Sequence, residues 1–171
     1  KIADLGKDDV FTYKIETLDG TVNTQTLTIK VDADNVLIGT PDAGTTGNDI
    51  AVSQSANEVF TLGDGDDLLI YNVLNGLSPI GGNGIDQWLD FNMSEGDKID
   101  VSSLLSGANA DNINNYLCVS ISGNQVTLLV DRDGSGDIST PTTLLTLINE
   151  DHATNPIISL EDLLNNNSII Y

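Results

Sequence analysis

A mostly β fold is expected for this chain, on three observations. Apolar and polar residues alternate in short runs over residues 9–31, 117–121 and 125–130. Glycine and aspartate dominate from about residue 36 to residue 100, and such clusters make turns rather than helices. Only two short segments, 111–117 and the run after Ser159, read as helix.

Residues 9–31, DVFTYKIETLDGTVNTQTLTIKV, read as a β-hairpin. Val10, Thr12 and Lys14 alternate with Phe11, Tyr13 and Ile15, Asp19-Gly20 marks the turn, and Leu27, Ile29 and Val31 return. A lone hairpin is marginal in water, so this one is expected to pack on later strands or on a sheet upstream. DADN at 32–35 breaks the pattern and reads as a junction. Further on, Gly123-Asn124 joins two strands, and Leu144 to Ile148 forms another. Ser159 caps a short helix with Asp162 three residues later, and LLNNNSIIY closes the chain on an apolar tail. Three regions follow: a hairpin at 1–35, a glycine- and aspartate-rich region at 36–105, and a C-terminal segment at 106–171.

The charge is lopsided. Among 171 residues, 26 are acidic and six basic, a formal net charge of −20. Lys1, Lys7, Lys14 and Lys30 precede the acidic region, and beyond them stand only Lys98 and Arg132. This balance argues against nucleic acid and anionic membrane surfaces as partners, since both need basic patches. A hydrophobic fraction of 39% argues against disorder of the whole chain and favours order conditional on neutralising the charge. Cys118 is the sole cysteine, so no internal disulfide can form, and a metal is the expected staple. No apolar stretch approaches the length of a membrane span, and no signal peptide opens the sequence. Its first residues already have strand character, so it reads as a C-terminal piece of something larger.

The acidic region has a pattern. FTLGDGDDLLIY at 60–71 crowds Asp64, Asp66 and Asp67 together with no cation near them in sequence. TTGNDIAV at 45–52 carries a related G-N-D ending in Asp49, and GGNGIDQWL at 81–89 reads G-G-x-G-x-D-x-U-x in full, with Trp88 as the large apolar U. This is the nonapeptide of the calcium-binding parallel β-roll. Glycines admit positive φ, so a tight turn aims its carbonyls inward, and the aspartate adds a carboxylate oxygen. Two stacked turns then complete an all-oxygen shell suited to a hard ion. Candidate ligands are Asp49; Asp64 and Asp67 with Gly63 and Gly65; and Asn83 and Asp86 with Gly82 and Gly84. Calcium is the expected counter-charge; the alternative is ordinary Gly/Asp turns. Leu62 replaces a first-position glycine, residues 71–80 interrupt the stack, and the U position after Asp49 is Ala51, so a short, irregular roll is expected.

A second calcium candidate is VDRDGSGDIS at 130–139. Asp131, Asp133, Ser135 and Gly136 match positions 1, 3, 5 and 6 of an EF-hand loop, with Asp137 just beyond. Position 12 is Thr142, so the bidentate glutamate is missing, and the flanks read as strands; an acidic hairpin turn is the alternative. After the roll, Asp90, Asp97 and Asp100 are candidates to cap its last ion site, or are polar turn residues. No catalytic constellation is legible. His152 is the only histidine and no H-E-x-x-H is present. Thr24, Thr26 and Thr28 share one strand face, a pattern too short to imply a sugar- or ice-binding surface.

Residues 81–105, GGNGIDQWLDFNMSEGDKIDVSSLL, resemble the end of a repeats-in-toxin (RTX) β-roll leading into the C-terminal segment of type I secreted bacterial proteins. VFTYKIETLDGTVNTQTLTIKVDADN resembles the last strands of the Ig-like stalk repeats of giant adhesins. Together they resemble the C-terminal region of large RTX adhesins, a group that includes an ice-binding adhesin. The resemblance implies a mostly β fold: a short calcium-binding parallel roll joined to antiparallel sandwich-like strands and one or two short helices. It implies a non-enzymatic, monomeric, extracellular module, exported C-terminus first through an ABC transporter channel with residues 160–171 as the signal, and folding on calcium outside. The roll of a secreted serralysin-like hydrolase, whose catalytic domain would lie upstream, is the alternative, followed by a sugar- or ice-binding module.

Overall fold

The computed structural model describes residues 9–16, 22–29, 35–38, 43–74, 78–134 and 141–171. Its strands are β1 (Asp9–Glu16), β2 (Val22–Ile29), β3 (Asn35–Ile38), β4 (Asp49–Val52), β5 (Val59–Phe60), β6 (Leu68–Ile70), β7 (Asp86–Phe91) and β8 (Lys98–Asp100). They continue with β9 (Leu117–Ser122), β10 (Gln125–Val130), β11 (Thr142–Asn149) and, after helix α1 (Leu160–Asn165), β12 (Ile169–Ile170). The chain is mostly β, as its turn-rich composition implies.

From β4 onward the chain winds as a roll. One five-stranded sheet has the order β12-β8-β6-β4-β3, and all its neighbours are parallel. The second has the order β5-β7-β11-β10-β9; β5, β7 and β11 run parallel, and β10 and β9 add antiparallel. Successive parallel strands alternate between the sheets: β4 in the first, β5 in the second, β6 in the first, β7 in the second, β8 in the first. Each crossing from sheet to sheet is a turn, so the turns stack along two opposite edges of the roll.

The core lies between the sheets. Ala51, Phe60, Leu69, Trp88 and Ile99 are all fully buried and sit one per strand on β4 to β8. These are the inward positions of a two-residue repeat; on β7, Trp88 is buried while Gln87 and Leu89 face outward. Trp88 meets Phe91 edge to face, with centroids 5.1 Å apart and planes at 86°. Burying a large apolar side chain contributes about 1.5–3 kcal/mol, and this column of five side chains holds the sheets together from within.

The C-terminal segment is woven into the roll rather than trailing from it. β9 to β11 widen the second sheet, and β12 pairs in parallel with β8 (Ile169↔Ile99), bringing the apolar tail into the first. The helix expected over 111–117 is a single 3₁₀ turn at Ile113–Asn115, because Leu117 already pairs with Val130 as a strand residue. α1 is as expected: the Ser159 side chain accepts from Asp162 N, and the Asp162 carboxylate accepts from Ser159 N at 2.8 Å. The hairpin expected over 9–31 is present as β1 and β2 in register from Asp9↔Ile29 to Glu16↔Val22; its Asp19-Gly20 turn lies outside the described residues. It forms a two-stranded sheet of its own, with Val10, Phe11, Tyr13 and Ile15 exposed.

Candidate metal centre

On the first edge, turns 43–48, 61–67 and 92–97 lead into β4, β6 and β8. Each ends in an aspartate one residue before, or at the start of, its strand: Asp49, Asp67 and Asp97. All three are buried, at 1%, 0% and 1% exposure. They form a ladder across the turns. Asp67 Oδ1 accepts from Asp49 N at 2.7 Å, and Asp97 Oδ1 accepts from Asp67 N at 3.0 Å. Asp97 Oδ2 accepts from Asn92 N at 2.8 Å, and Asp49 Oδ2 accepts from the main-chain N and the hydroxyl of Thr45. Asp49 and Asp67 are 18 residues apart, two nonapeptides, which is one full turn of the roll.

Glycine lets these turns stack backbone on backbone. Gly63 has φ +97° and Gly65 has φ +134°. A Cβ on Gly63 would overlap the Thr45 carbonyl oxygen, and one on Gly65 would press on the Gly47 carbonyl. Glycine alone accommodates both the dihedral angle and the contact.

Two atoms of the ladder have no partner. Asp49 Oδ1 and Asp67 Oδ2 are buried side-chain oxygens without a hydrogen bond. An unpaired buried carboxylate oxygen is costly, and burial itself perturbs the acidity of the ladder. Burial raises the Asp67 pKa to about 7; the hydrogen bond from Asp49 opposes this, and the charges of Asp49, Asp90 and Glu95 add to it. Burial likewise raises the Asp97 pKa to about 8, against the amides of Asn92 and Asp67 and with the charges of Asp67 and Glu95. Glu95 is itself raised, first by desolvation and then by Asp64, Glu150 and Asp151. Acidic groups crowd along this edge, and in the absence of a cation burial favours their protonated forms.

The available side-chain donors are hard oxygens, two of them buried without a hydrogen bond, so the residues present fit a hard divalent cation such as calcium. Among the described residues no three acidic, histidine or cysteine side chains converge in a geometry that would hold a metal by themselves. Coordination here would draw on main-chain carbonyls of the glycine turns, as the nonapeptide chemistry requires.

The three crowded aspartates have separate roles. Asp67 is the buried rung. Asp66 is exposed, pairs with Lys98 Nζ from the neighbouring turn, and its N donates to Asn48 Oδ1 at 3.0 Å. Part of the counter-charge missing from the local sequence is thus Lys98, although so exposed a pair contributes little. Asp64 is exposed, close enough to Glu95 to raise its pKa. Asp90 braces the neighbouring turn, accepting from Leu62 N at 3.1 Å and Gly63 N at 2.8 Å.

GGNGIDQWL falls on the opposite edge, where residues 53–58 lead into β5 and residues 78–85 lead into β7. Gly82 has φ +94°, and Gly84 stacks on the Ala56 carbonyl. Asn83 braces its own loop: Nδ2 donates to Val73 O at 3.1 Å and Ile80 O at 2.7 Å, and Oδ1 accepts from Val73 N at 3.2 Å. Asp86 is fully buried; Oδ2 accepts from Ser53 Oγ at 2.7 Å and Oδ1 from Glu58 N at 2.9 Å. Burial raises its pKa against the hydrogen bonds from Ser53 and Glu58. Asp100 accepts from the N and Oγ of Ser102 and so caps its own turn.

In the 130–139 loop, residues 130–134 are described, and Arg132 Nη1 donates to Ser78 O at 2.8 Å. Asp133 N approaches Asp131 Oδ1 at 3.4 Å, and burial together with Asp133 raises the Asp131 pKa. Ser135 and Asp137 lie outside the described residues. The sequence reading missed Ser53 and Glu58. Their signal is SQSANEVFT at 53–61, which lies in unbroken nine-residue register between GTTGNDIAV and LGDGDDLLI, with Glu58 in the aspartate position and Phe60 in the U position.

No family model matches the chain, and no curated protein does. Among solved structures it is similar to the AlgE6R2 subunit from the Azotobacter vinelandii mannuronan C5-epimerase. The identity is 22% and the TM-score 0.48, over 81% of this chain and 88% of that one. It is also similar to the AlgE6R3 subunit of that epimerase, at 23% identity and a TM-score of 0.41, over 71% and 75% of the two chains. Likeness at this level carries no argument about chemistry, which rests here on the chain's own geometry.

Proposed function

We propose that this chain is a non-catalytic, calcium-dependent folding module of a secreted bacterial protein. The observation that carries the reading is the pair of buried, unpartnered oxygens, Asp49 Oδ1 and Asp67 Oδ2, on adjacent glycine turns. Asp49, Asp67 and the carbonyls of turns 43–48 and 61–67 would hold the ion, with Asp90 and Asp97 bracing the 61–67 turn. Calcium would supply the positive charge that the chain, at a net −20, does not carry itself.

The energetics suit a switch. Extracellular calcium modules bind with Kd on the order of 10⁻⁴–10⁻³ M, so such sites are empty at cytosolic calcium. The acidic chain then repels itself, and the buried aspartates are left without a counter-charge. Outside the cell, a site at ten times its Kd adds roughly 1.4 kcal/mol of stability. Two to four such sites add about 3–6 kcal/mol, comparable with the whole stability of a marginal domain. The resemblance of residues 81–105 and of the opening hairpin supports the finer setting: the C-terminal region of a large adhesin, exported C-terminus first by type I machinery.

The test is far-ultraviolet circular dichroism and fluorescence of Trp88, the single tryptophan, during calcium addition and chelation. A reversible gain of β signal with a change in Trp88 emission is the expected result. Identical spectra with calcium and with chelator would remove the proposal.

A further inference from the structure

The two edges of the roll differ in one respect that matters for a cation. On the Asp49–Asp67–Asp97 edge, two buried carboxylate oxygens have no partner. On the opposite edge, both oxygens of Asp86 accept a hydrogen bond, one from the Ser53 hydroxyl and one from the Glu58 amide. The buried Tyr71 hydroxyl lies near the same carboxylate without a hydrogen bond of its own, and after burial itself the Asp86 charge is the main cause that raises the tyrosine's pKa. Asn83, at a would-be ligand position, has its amide and its carbonyl oxygen engaged by Val73 and Ile80.

The facing turn is altered to match. Ser53-Gln54-Ser55-Ala56-Asn57-Glu58 contains no glycine. Glu58 Oε2 accepts from Gln54 N and Asn57 Oδ1 from Ile85 N, just as Asp49 Oδ2 and Asn48 Oδ1 accept from Thr45 N and Asp66 N on the first edge, so the difference is the Ser53 hydroxyl on Asp86 Oδ2. A cation entering here would have to displace protein donors that already satisfy Asp86, and each buried polar group left unmatched is a penalty.

Building on the calcium reading proposed above, we infer that cation loading is confined to the Asp49–Asp67–Asp97 edge. On the other edge the Ser53 hydroxyl and the Glu58 amide, with Tyr71 alongside, take the cation's place on Asp86. The stretch that matches the nonapeptide in full, GGNGIDQWL, is then a hydrogen-bonded clamp, and the less regular GTTGND and LGDGDD turns are the ion turns.

Calcium titration calorimetry on the full chain, with Asp67→Asn and Asp86→Asn variants, tests this. Asp67→Asn is expected to lower the number of bound ions. Asp86→Asn is expected to keep that number, with affinity within about twofold, because the two positions share no ion. Loss of an ion in Asp86→Asn overturns the inference and leaves the calcium reading standing; no binding to the unaltered chain overturns both. Should Asp86→Asn fail to fold, anomalous difference maps from crystals of the unaltered chain grown with terbium replace it. Peaks beside Asp49 and Asp67 alone support the inference, and a peak beside Asp86 overturns it.

Discussion

Asp67 Oδ1 accepts the main-chain N–H of Asp49 at 2.7 Å, across one complete turn of the roll. One aspartate thus ties two turns together through one oxygen and leaves the other, Oδ2, buried without a partner. The same side chain is a structural rung and the most exacting charge on the edge.

Asp67→Asn separates these roles. The amide oxygen keeps the bond to Asp49 N, and the buried unpaired charge is gone. The calcium-free protein is expected to gain about 1–3 kcal/mol at pH 8. The stabilisation gained on adding calcium is expected to shrink. Urea unfolding with and without chelator measures both; a variant less stable than the unaltered chain in chelator contradicts this.

The calcium-free protein is expected to lose stability as pH rises. Unfolded aspartates titrate near 3.9. In the fold, burial puts Asp67 at about 7 and Asp97 at about 8. Between these limits the folded state holds more protons than the unfolded state. Stability from these groups is therefore complete below about pH 4 and is lost as pH climbs through 7 to 8. With calcium the sign reverses, because protons compete with the ion for the same carboxylates. Urea midpoints from pH 5 to 8.5 are expected to fall in chelator and to rise in calcium. Parallel trends contradict the shared role of these side chains.

How far the sequence announces all this depends on the residue. The U positions Leu69 and Trp88 and the rung aspartates Asp49 and Asp67 are legible because the nonapeptide repeat assigns each a direction, inward or into the turn. The two edges are not. Asp86 follows Asp67 at almost the interval by which Asp67 follows Asp49, so the three look like consecutive rungs. The ten residues at 71–80 are an insertion within a half-turn, and they carry Asp86 to the opposite edge. Glu58 was hidden because SQSANEVFT keeps the period while losing every glycine. The docking of the IIY tail beside β8 rests on long-range pairing that no local pattern encodes.

Glycine replacements should divide by location. Gly63→Ala places a Cβ against the Thr45 carbonyl at φ +97°, so a loss of about 2–4 kcal/mol is expected. Gly123→Ala, at φ +64° with nothing within 4 Å, meets only dihedral strain and is expected to lose about 1–2 kcal/mol. Thermal melts of both in calcium give the comparison. Equal losses would mean that turn stacking is not what Gly63 provides.

Ser159→Ala removes the side-chain acceptor from Asp162 N at the start of α1. A cost of about 1 kcal/mol is expected. The helix immediately precedes β12, so exchange protection of the Ile99 and Val101 amides, which donate to Ser168 O and Ile170 O, should weaken with it. Unchanged protection at those two amides would show that β12 docks independently of the cap.

The most direct measurement is hydrogen exchange of the main-chain amides over residues 43–67, in saturating calcium and in chelator. A cation bridging the Asp49 and Asp67 turns should slow exchange there by about tenfold or more, the equivalent of one occupied site. Equal rates in the two conditions would mean that these stacked turns close without a cation.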